Sequence, residues 1–453
     1  MMNVENRHIT IAGAARSGVA AAILLREKGA IPFVTDSGTI SDISRQRLID
    51  LNIEFEEGAH SSRSLKGEFL ILSPGIPTES SIAQHYLNEG KKIYSEIELA
   101  SWFANPPLIA VTGSNGKTTV ANWMAHIWKT AGKNYLLTGN IGNAFSEMIL
   151  SSDDHATILL EVSSFQLDHI DQFRPDITIL LNITEDHLDR YQNDFGKYAA
   201  AKLQITRNQN CENLFIYWQD DPILAKHAEE LALKPDSPRL LAFSATREVT
   251  EGAFIRNGTL ILKLQNQEEE LMQIGEIGLT GKHNLQNGMA AALAARASEI
   301  RNEFIRESLR SFEGVSHRLE FVREYEGIRY VNDSKATNIN SVWYALDSFQ
   351  MPLALILGGR DKGNDYTLLE KQIRSKVHTV IAIGEARASI REQLGNIVPN
   401  FLEADSMKGA VKLARKSCKR GETILLSPAC SSFDMFDNYE HRGNEFKQAV
   451  LNL

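Results

Sequence analysis

Lys117 stands in Ala110-Val-Thr-Gly-Ser-Asn-Gly-Lys-Thr-Thr119, directly after Gly116 and before two threonines. That grouping suits phosphate chemistry. Backbone N–H groups of Gly113, Ser114, Asn115 and Gly116 turn toward an anion, and Lys117 neutralises terminal phosphate charge. The Thr118 hydroxyl reaches a Mg²⁺ bound to the same oxygens, and Thr119 completes the loop. Val111 stands where the strict pattern has its first glycine, so the flanking context carries the reading. The loop is expected to bind a nucleoside triphosphate. Further on, Glu161 closes the apolar run Thr157–Val162, and His187 lies in Asn182-Ile-Thr-Glu-Asp-His-Leu-Asp189 after the run Asp176–Leu181. Strand ends in open α/β sheets gather at one edge, so this carboxylate and imidazole are candidate metal ligands beside the phosphates. Taken alone, His187 reads equally as a satisfied polar histidine. Lys197 and Lys202, on a helix spanning Phe195–Ile205, read by themselves as a solvated face.

These groups need strands and helices to hold them. Leu108–Val111 reads as a buried strand, and Val120, Trp123, Met124, Ile127 and Trp128 recur with helical spacing after the loop. The chain opens with a similar unit: a strand His8–Ala12, a turn Gly13–Gly18, a helix Ala20–Lys28 and a strand Ile31–Thr35 ending at Asp36. Ala15 replaces the glycine that lets backbone approach a dinucleotide pyrophosphate, while Arg16 and Ser17 offer a cation and a hydroxyl to a differently placed diphosphate. Phe69–Ile76 carries a strand into the turn Ser73-Pro-Gly75. Pro106-Pro107 marks a linker. Asn257-Gly258 predicts a hairpin, Glu268–Glu270 reads as solvated surface, and a helix is expected over Asn287–Ala297. From Val315 onward, strands Gly327–Val331, Leu353–Leu357, Thr379–Ile383 and Thr423–Leu426 each end in a polar loop. This alternation predicts mainly parallel sheets with functional residues on the loops.

The 453 residues have room for about three domains, with 43% hydrophobic and 23% charged residues. A net charge of −9 without basic runs excludes nucleic acid and membrane surfaces as partners, though not small anions. Cys211, Cys418 and Cys430 lie far apart, suggesting neither disulfides nor a zinc site. With no leader-like or membrane-length segment, a cytoplasmic location is expected.

The loop Thr112-Gly-Ser-Asn-Gly-Lys-Thr-Thr119, followed by glutamate, histidine and lysine and flanked by two Rossmann-like regions, resembles the Mur ligase family of ATP-dependent peptide-bond-forming enzymes. The resemblance spans essentially the whole chain. Glu161-Val-Ser-Ser-Phe-Gln-Leu167, Asn332-Asp-Ser-Lys-Ala-Thr-Asn338, Ser427-Pro-Ala-Cys-Ser-Ser-Phe-Asp434 and Arg442-Gly-Asn-Glu-Phe446 narrow it to the D-glutamate-adding branch. The resemblance implies an α/β protein of three domains. These are a Rossmann-like UDP-sugar domain (1–97), a central P-loop-type ATPase domain with a mainly parallel sheet (98–314), and a Rossmann-like amino-acid domain (315–453).

It further implies a monomer acting on ATP, UDP-N-acetylmuramoyl-L-alanine and D-glutamate in peptidoglycan precursor synthesis. Two Mg²⁺ ions are implied, one on Thr118 and Glu161, one on His187 and a carbamylated Lys202. By position, Asn284, His317, Arg318 and Asp333 match nucleotide contacts. Arg16, Ser17, Asp36, Ser37, Ser73, Gly75 and Asn140 match the UDP-sugar side. Lys335 and Thr337, with Lys362, Ser432, Phe433 and Tyr439, match the reacting centre and D-glutamate. Gly38 departs from an arginine that some relatives carry near the diphosphate, which shifts that contact toward Arg16. The neighbouring readings are a sister ligase or a folyl-polyglutamate synthase adding another amino acid. A nicotinamide oxidoreductase leaves the phosphate loop unused, and a nucleotide-gated binding module predicts hydrolysis without a ligated product.

Overall fold

The computed structural model describes residues 2–150, 155–186, 188–349, 352–361 and 363–453; His187 and Lys362 lie outside the described residues. Three sheets carry the chain. The first has five parallel strands in the order Glu54–Glu57, Ile31–Asp36, His8–Ala12, Leu70–Leu72, Ile93–Ser95. From His8–Ala12 the chain builds outward on one side and then on the other, so a crevice opens at the carboxyl ends beside this strand, where Gly13 and Ser73 emerge.

The second sheet has nine strands. Its parallel part orders as Gly252–Arg256, Arg239–Ser244, Leu214–Trp218, Ile177–Leu180, Leu108–Thr112, Thr157–Glu161 and Tyr135–Gly139. Gly252–Arg256 turns through Asn257-Gly258 into Thr259–Leu264 as an antiparallel hairpin, and Gln267–Gln273 adds the edge. Leu108–Thr112 is buried throughout, as expected of a parallel strand covered on both faces. The helix after it, Lys117–Thr130, turns Val120, Trp123, Met124, Ile127 and Trp128 inward, and Trp123 stacks on Phe312 at 4.7 Å between ring centres. Gly132, at φ +65°, ends this helical run. The third sheet orders as Glu320–Tyr325, Ile328–Asn332, Thr423–Leu426, Leu353–Gly358, Val377–Ile383 and Asn400–Ala404, antiparallel only at its first pair.

The chain divides into two compact units, Met1–Gly278 with Asn284–Phe312, and Leu279–His283 with Glu313–Leu453. The first unit holds two sheets that share an apolar cluster. Ile9, Ile11 and Leu24 belong to the same apolar cluster as Ile97, Leu108, Leu160 and Phe173. Glu98 ties the two sheets together. Fully buried on the short helix Glu96–Ser101, it accepts the backbone N–H of Asp171, Gln172 and Phe173 at 2.9, 2.9 and 2.8 Å and the Trp102 indole at 2.7 Å. Four donors on one buried carboxylate satisfy the hydrogen-bonding capacity that burial would otherwise leave open.

Several local expectations need correction. The first helix spans Arg16–Glu27, so Arg16 and Ser17 sit in its first turn, ahead of the expected start at Ala20. The helix before Ala297 starts at Lys282, five residues before Asn287, and so includes Asn284. Glu269 is not merely solvated. It takes the Arg296 guanidinium through Nε and Nη2, both at 2.9 Å, and the Asn302 amide at 2.8 Å, which holds its carboxyl down at about 2. Lys202 departs most from the expectation: Lys197 is exposed as expected, but Lys202 is only 1% exposed.

Candidate active site

Leu108–Thr112 passes into the phosphate loop at Gly113 (φ +151°), and Gly116 (φ +89°) caps the helix that begins at Lys117. Both positive φ angles favour glycine, and a side chain at either position would also crowd its neighbours. A Cβ on Gly116 would fall 2.5 Å from Asn287 Oδ1, and one on Gly113 would fall 3.1 Å from Leu181 Cβ. Asn182, at the end of the neighbouring strand, shapes the loop. Its carbonyl accepts Ser114 N at 2.9 Å, and its side chain accepts Asn115 N at 2.8 Å. Ser114 Oγ bonds the Thr184 carbonyl at 2.8 Å and meets the Tyr198 hydroxyl at 2.9 Å. Asn182, Thr184, Tyr198 and Asn287 are parts of the site that motif reading did not single out.

Two lysines meet over this loop. Lys117 Nζ donates to the carbonyls of Gly113 and Ser114 at 2.7 and 2.9 Å, and Lys202 Nζ donates to the same Gly113 oxygen at 2.9 Å. The Lys202 nitrogen also lies over the Tyr198 ring, 4.7 Å from its centre. Burial, followed by the Lys117 charge, pushes Lys202 well below the ordinary lysine range, against the pull of Asp186, Asp168 and Glu161. The amine is driven toward its neutral form. Asp168, held by the Tyr191 hydroxyl at 3.0 Å, is raised to about 6 by burial.

Glu161 lies on the strand paired beside Leu108–Thr112 and is 1% exposed. One of its oxygens accepts the Asn140 amide at 2.9 Å, while Oε2 is buried with no hydrogen-bond partner among the described residues. An orphaned carboxylate oxygen beside a phosphate loop is costly unless a cation or donor completes it, so the donor set fits a hard divalent ion. Asn140, matched to the sugar side, is thus bonded through side chain and backbone to the Glu161 strand end.

In the five-stranded sheet, the residues matched to the UDP-sugar gather at the crevice. Asp36 accepts Ala14 N and Gly38 N, each at 2.8 Å, and so braces both turns. Ser73 Oγ donates to the Gly13 carbonyl at 3.4 Å, and Arg16 bonds the Gly142 carbonyl. Ser17 is half-buried and Ser37 exposed at the same edge. The Gly75 carbonyl accepts Arg190 at 3.4 Å, and the same guanidinium reaches the carbonyls of Pro74 and Ile76 while lying over the Phe165 ring. Arg190 therefore binds the Ser73-Pro-Gly75 turn to the central sheet. No motif marked it.

In the second unit, the ends of Ile328–Asn332 and Thr423–Leu426 lie side by side. Asp333 accepts Ser427 Oγ at 2.7 Å and Leu319 N at 3.2 Å, and burial raises it to about 7. His317, in a left-handed conformation at φ +64°, takes the Asn332 amide on Nδ1 at 2.9 Å, and burial lowers its pKa. Arg318 is held near it by a turn onto Val315. Lys335 Nζ lies 5.1 Å above the Tyr439 ring. Arg442, fully buried, joins the two loops by donating to Ser334 Oγ, the Ser334 carbonyl and the Cys430 carbonyl at 3.0, 2.7 and 3.0 Å. Thr337 and Phe433 are exposed and Ser432 is buried on these loops. Asn284 belongs to the first unit, in the opening turn of Lys282–Ala297.

Comparison with known proteins follows this division. Residues 9–82 match a model of the MurD N-terminal domain, 111–295 one of the Mur ligase middle domain, and 317–430 one of the Mur ligase, glutamate ligase domain. The UDP-N-acetylmuramoylalanine–D-glutamate ligase of Salinibacter ruber is 45% identical, with 99% of each chain covered. The ligase of the same name from Bacteroides fragilis is 41% identical over 99% of this chain and 100% of its own. Among solved structures, the UDP-N-acetylmuramate-alanine ligase MurC from Thermotoga maritima shares the fold at a TM-score of 0.60 and 16% identity, covering 99% of this chain and 100% of that one. FolC of E. coli, in complex with DHPP and ADP, shares it at 0.58 and 15%, covering 79% and 92%. From phosphate loop to buried Arg442, this chain belongs to the Mur ligase family.

Proposed function

We propose that this protein joins D-glutamate to UDP-N-acetylmuramoyl-L-alanine at the expense of ATP, releasing ADP and phosphate. The observation that carries the chemistry is the pair of lysines, half-buried Lys117 and buried Lys202, on the Gly113 carbonyl at a helix N-terminus, with the buried, part-satisfied carboxylate of Glu161 at the end of the neighbouring strand. The full-length relatives named as D-glutamate ligases support the choice of substrates.

The acceptor carboxylate attacks the γ-phosphate of ATP, giving an acyl phosphate. The amine of D-glutamate then adds to its carbonyl, and phosphate leaves as the amide forms. Two anions meet in the first step, so cations must screen them. Lys117 turns from the Gly113 and Ser114 carbonyls toward the terminal phosphates, with the N–H groups of Gly113–Thr119 around them. Mg²⁺, when bound, supplies the remaining positive charge; Thr118 and Glu161 would hold one ion, His187 and a carbamylated Lys202 the other. Lys202 suits that modification, because the neutral amine is the form that adds to CO₂, losing one proton to become a carboxylate.

Arg16, Ser17, Asp36, Ser37, Ser73, Gly75 and Asn140 form the UDP-sugar side in this reading. Asn284, His317, Arg318 and Asp333 hold the nucleotide. Lys335, Thr337, Lys362, Ser432, Phe433 and Tyr439 serve D-glutamate and the reacting centre. We assign the domains to 1–97, 98–314 and 315–453, and the protein to the cytoplasm as a monomer. Among the described residues no helix is long and apolar enough to cross a membrane.

The test is ATP-dependent phosphate release with UDP-N-acetylmuramoyl-L-alanine, scanned over amino acids of both configurations. D-Glutamate alone should support stoichiometric release with a ligated product. Efficient use of L-glutamate, L-lysine or diaminopimelate instead would assign the chain to a sister branch. Phosphate release without a ligated product would leave only the nucleotide-gated module.

A further inference from the structure

The third sheet carries a second cluster of ligating side chains at its opposite, amino-terminal edge. His378 lies near the start of Val377–Ile383, Cys418 caps the end of the helix Met407–Ser417, and Glu422 directly precedes Thr423–Leu426. The sequence separates them, and the order of strands brings them together. His378 Nε2 stands 3.2 Å from Glu422 Oε2 and 3.8 Å from Cys418 Sγ, and all three ligand atoms lie within 4.8 Å of one another.

The two separations from the histidine nitrogen are close to those a bound metal requires. Bonds of about 2.3 Å to sulfur and about 2.0 Å to nitrogen and oxygen, at tetrahedral angles, put nitrogen about 3.5 Å from sulfur and about 3.3 Å from oxygen. An ordinary His–Glu pair does not need a thiol at that distance. We propose that His378, Cys418 and Glu422 form a zinc site, completed by a solvent ligand, that ties the helix Met407–Ser417 to two strands of the third sheet.

Surrounding contacts support the assignment. His378 Nδ1 is paired with the buried Thr379 hydroxyl at 2.8 Å, which holds the ring with Nε2 toward the other two ligands. Glu422 Oε2 accepts Lys419 N at 2.7 Å, so the carboxylate is held as well. The histidine and glutamate side chains are 22% and 18% exposed, enough to admit an ion and one water. Cys418 also borders a groove of about 760 Å³ lined by Lys412, Arg415, Lys416 and Arg420. Zinc bound to one thiolate and one carboxylate is neutral overall, so it adds no charge to that cationic wall. Binding converts the Cys418 thiol to a thiolate and releases its proton to solvent. Sulfur ligation selects zinc over the magnesium used in phosphate chemistry.

The test uses the full chain stripped with a chelator and titrated with Zn²⁺ against a chromophoric competitor. One zinc per chain should bind with a dissociation constant of about 1 μM or tighter, and His378→Ala, Cys418→Ser and Glu422→Gln should each weaken it at least tenfold, to about 10 μM or beyond. Thr379→Val, which keeps all three ligands, should weaken it by about tenfold. Cobalt(II) in place of zinc should give thiolate-to-metal charge-transfer absorption that survives Cys211→Ser and disappears in Cys418→Ser. Turnover should not change in Cys418→Ser, because the cluster is at the edge away from the substrate loops. Wild-type zinc affinity in the His378 and Glu422 variants, or a cobalt spectrum that depends on Cys211, would overturn the proposal.

Discussion

Lys117 and Lys202 donate to one and the same oxygen, the Gly113 carbonyl, at 2.7 and 2.9 Å. Burial, and then the repulsion between two ammonium groups on one acceptor, pushes the more deeply buried one toward its neutral form. That residue is Lys202. Replacement by alanine should leave the enzyme nearly inactive, and small carboxylic acids should partly restore turnover by standing in for the lost carbamate. Lowering the pH should both protonate the amine and strip the modification. An unmodified lysine in a high-resolution map of the active enzyme at neutral pH would rule the carbamate out.

Lys117→Ala tests the other half of the pair. The residue is half-buried and its ammonium donates to loop carbonyls, so the fold should survive while turnover falls by about 10³-fold or more, as for loss of a principal electrostatic stabiliser. Circular dichroism and steady-state phosphate release measure the two separately. Near-normal turnover in a folded variant would remove phosphoryl transfer from this loop.

Asp168 gives a pH prediction for stability. Its folded-state pKa of about 6 lies above the unfolded value, so the native state binds this proton more tightly. The favourable contribution is fully present below about pH 4 and is lost as pH rises through about 6. Asp168 is open to solvent on one side, so the cost of the ionised group at pH 7 and above is screened to about 1 kcal/mol or less. Asp168→Asn should therefore match the wild type in acid and exceed it at neutral pH in urea midpoints. Parallel pH profiles for the two proteins would contradict this assignment.

D-Glutamate selection is tested at Lys362 and Ser432. Loss of a charge-assisted contact costs about 1.5–3 kcal/mol, or roughly ten- to a hundred-fold. Lys362→Ala should accordingly raise the Michaelis constant for D-glutamate far more than that for ATP, and Ser432→Ala should act in the same direction with a smaller effect. Equal rises for both substrates would point to a general disturbance of the loop.

Legibility differs from residue to residue for physical reasons. The phosphate loop could be read because the change from a fully apolar strand to a helical apolar period is local, and Gly113 and Gly116 mark the turn themselves. The hairpin at Asn257-Gly258 was equally local. Lys202 could not be placed, since Phe195–Leu203 is rich in alanine and glycine and shows no clear buried face until Tyr198 and the loop pack on it. Glu54–Glu57, a strand of one phenylalanine among glutamates, carries no apolar signal and forms only as an edge. Arg190 and the His378–Cys418–Glu422 cluster depend on strand order, which no local pattern encodes. Family resemblance supplies the candidate substrate-side residues, but not the Asn182, Tyr198 and Asn287 contacts that shape the loop.

Glu98 offers a stability prediction. Glu98→Ala removes an acceptor shared by four donors and leaves two of them, Phe173 N and the Trp102 indole, buried without a partner, a loss of about 2–4 kcal/mol. Chemical denaturation should show a lower midpoint, whereas Glu98→Gln, which keeps one acceptor oxygen, should lose less. Equal midpoints for the alanine variant and the wild type would mean that water replaces the carboxylate.

The same carboxylate bears on how such a chain can be inherited. A genetic crossover just before Glu96 would carry the helix Glu96–Ser101, Trp102 and the Asp171–Phe173 turn across together, so each of these bonds to the carboxylate survives the exchange. A break between residues 102 and 171 would part the acceptor from its backbone donors. Matched histories are therefore expected between Glu98 and the Asp171–Phe173 turn, while the leading sheet is free of that constraint.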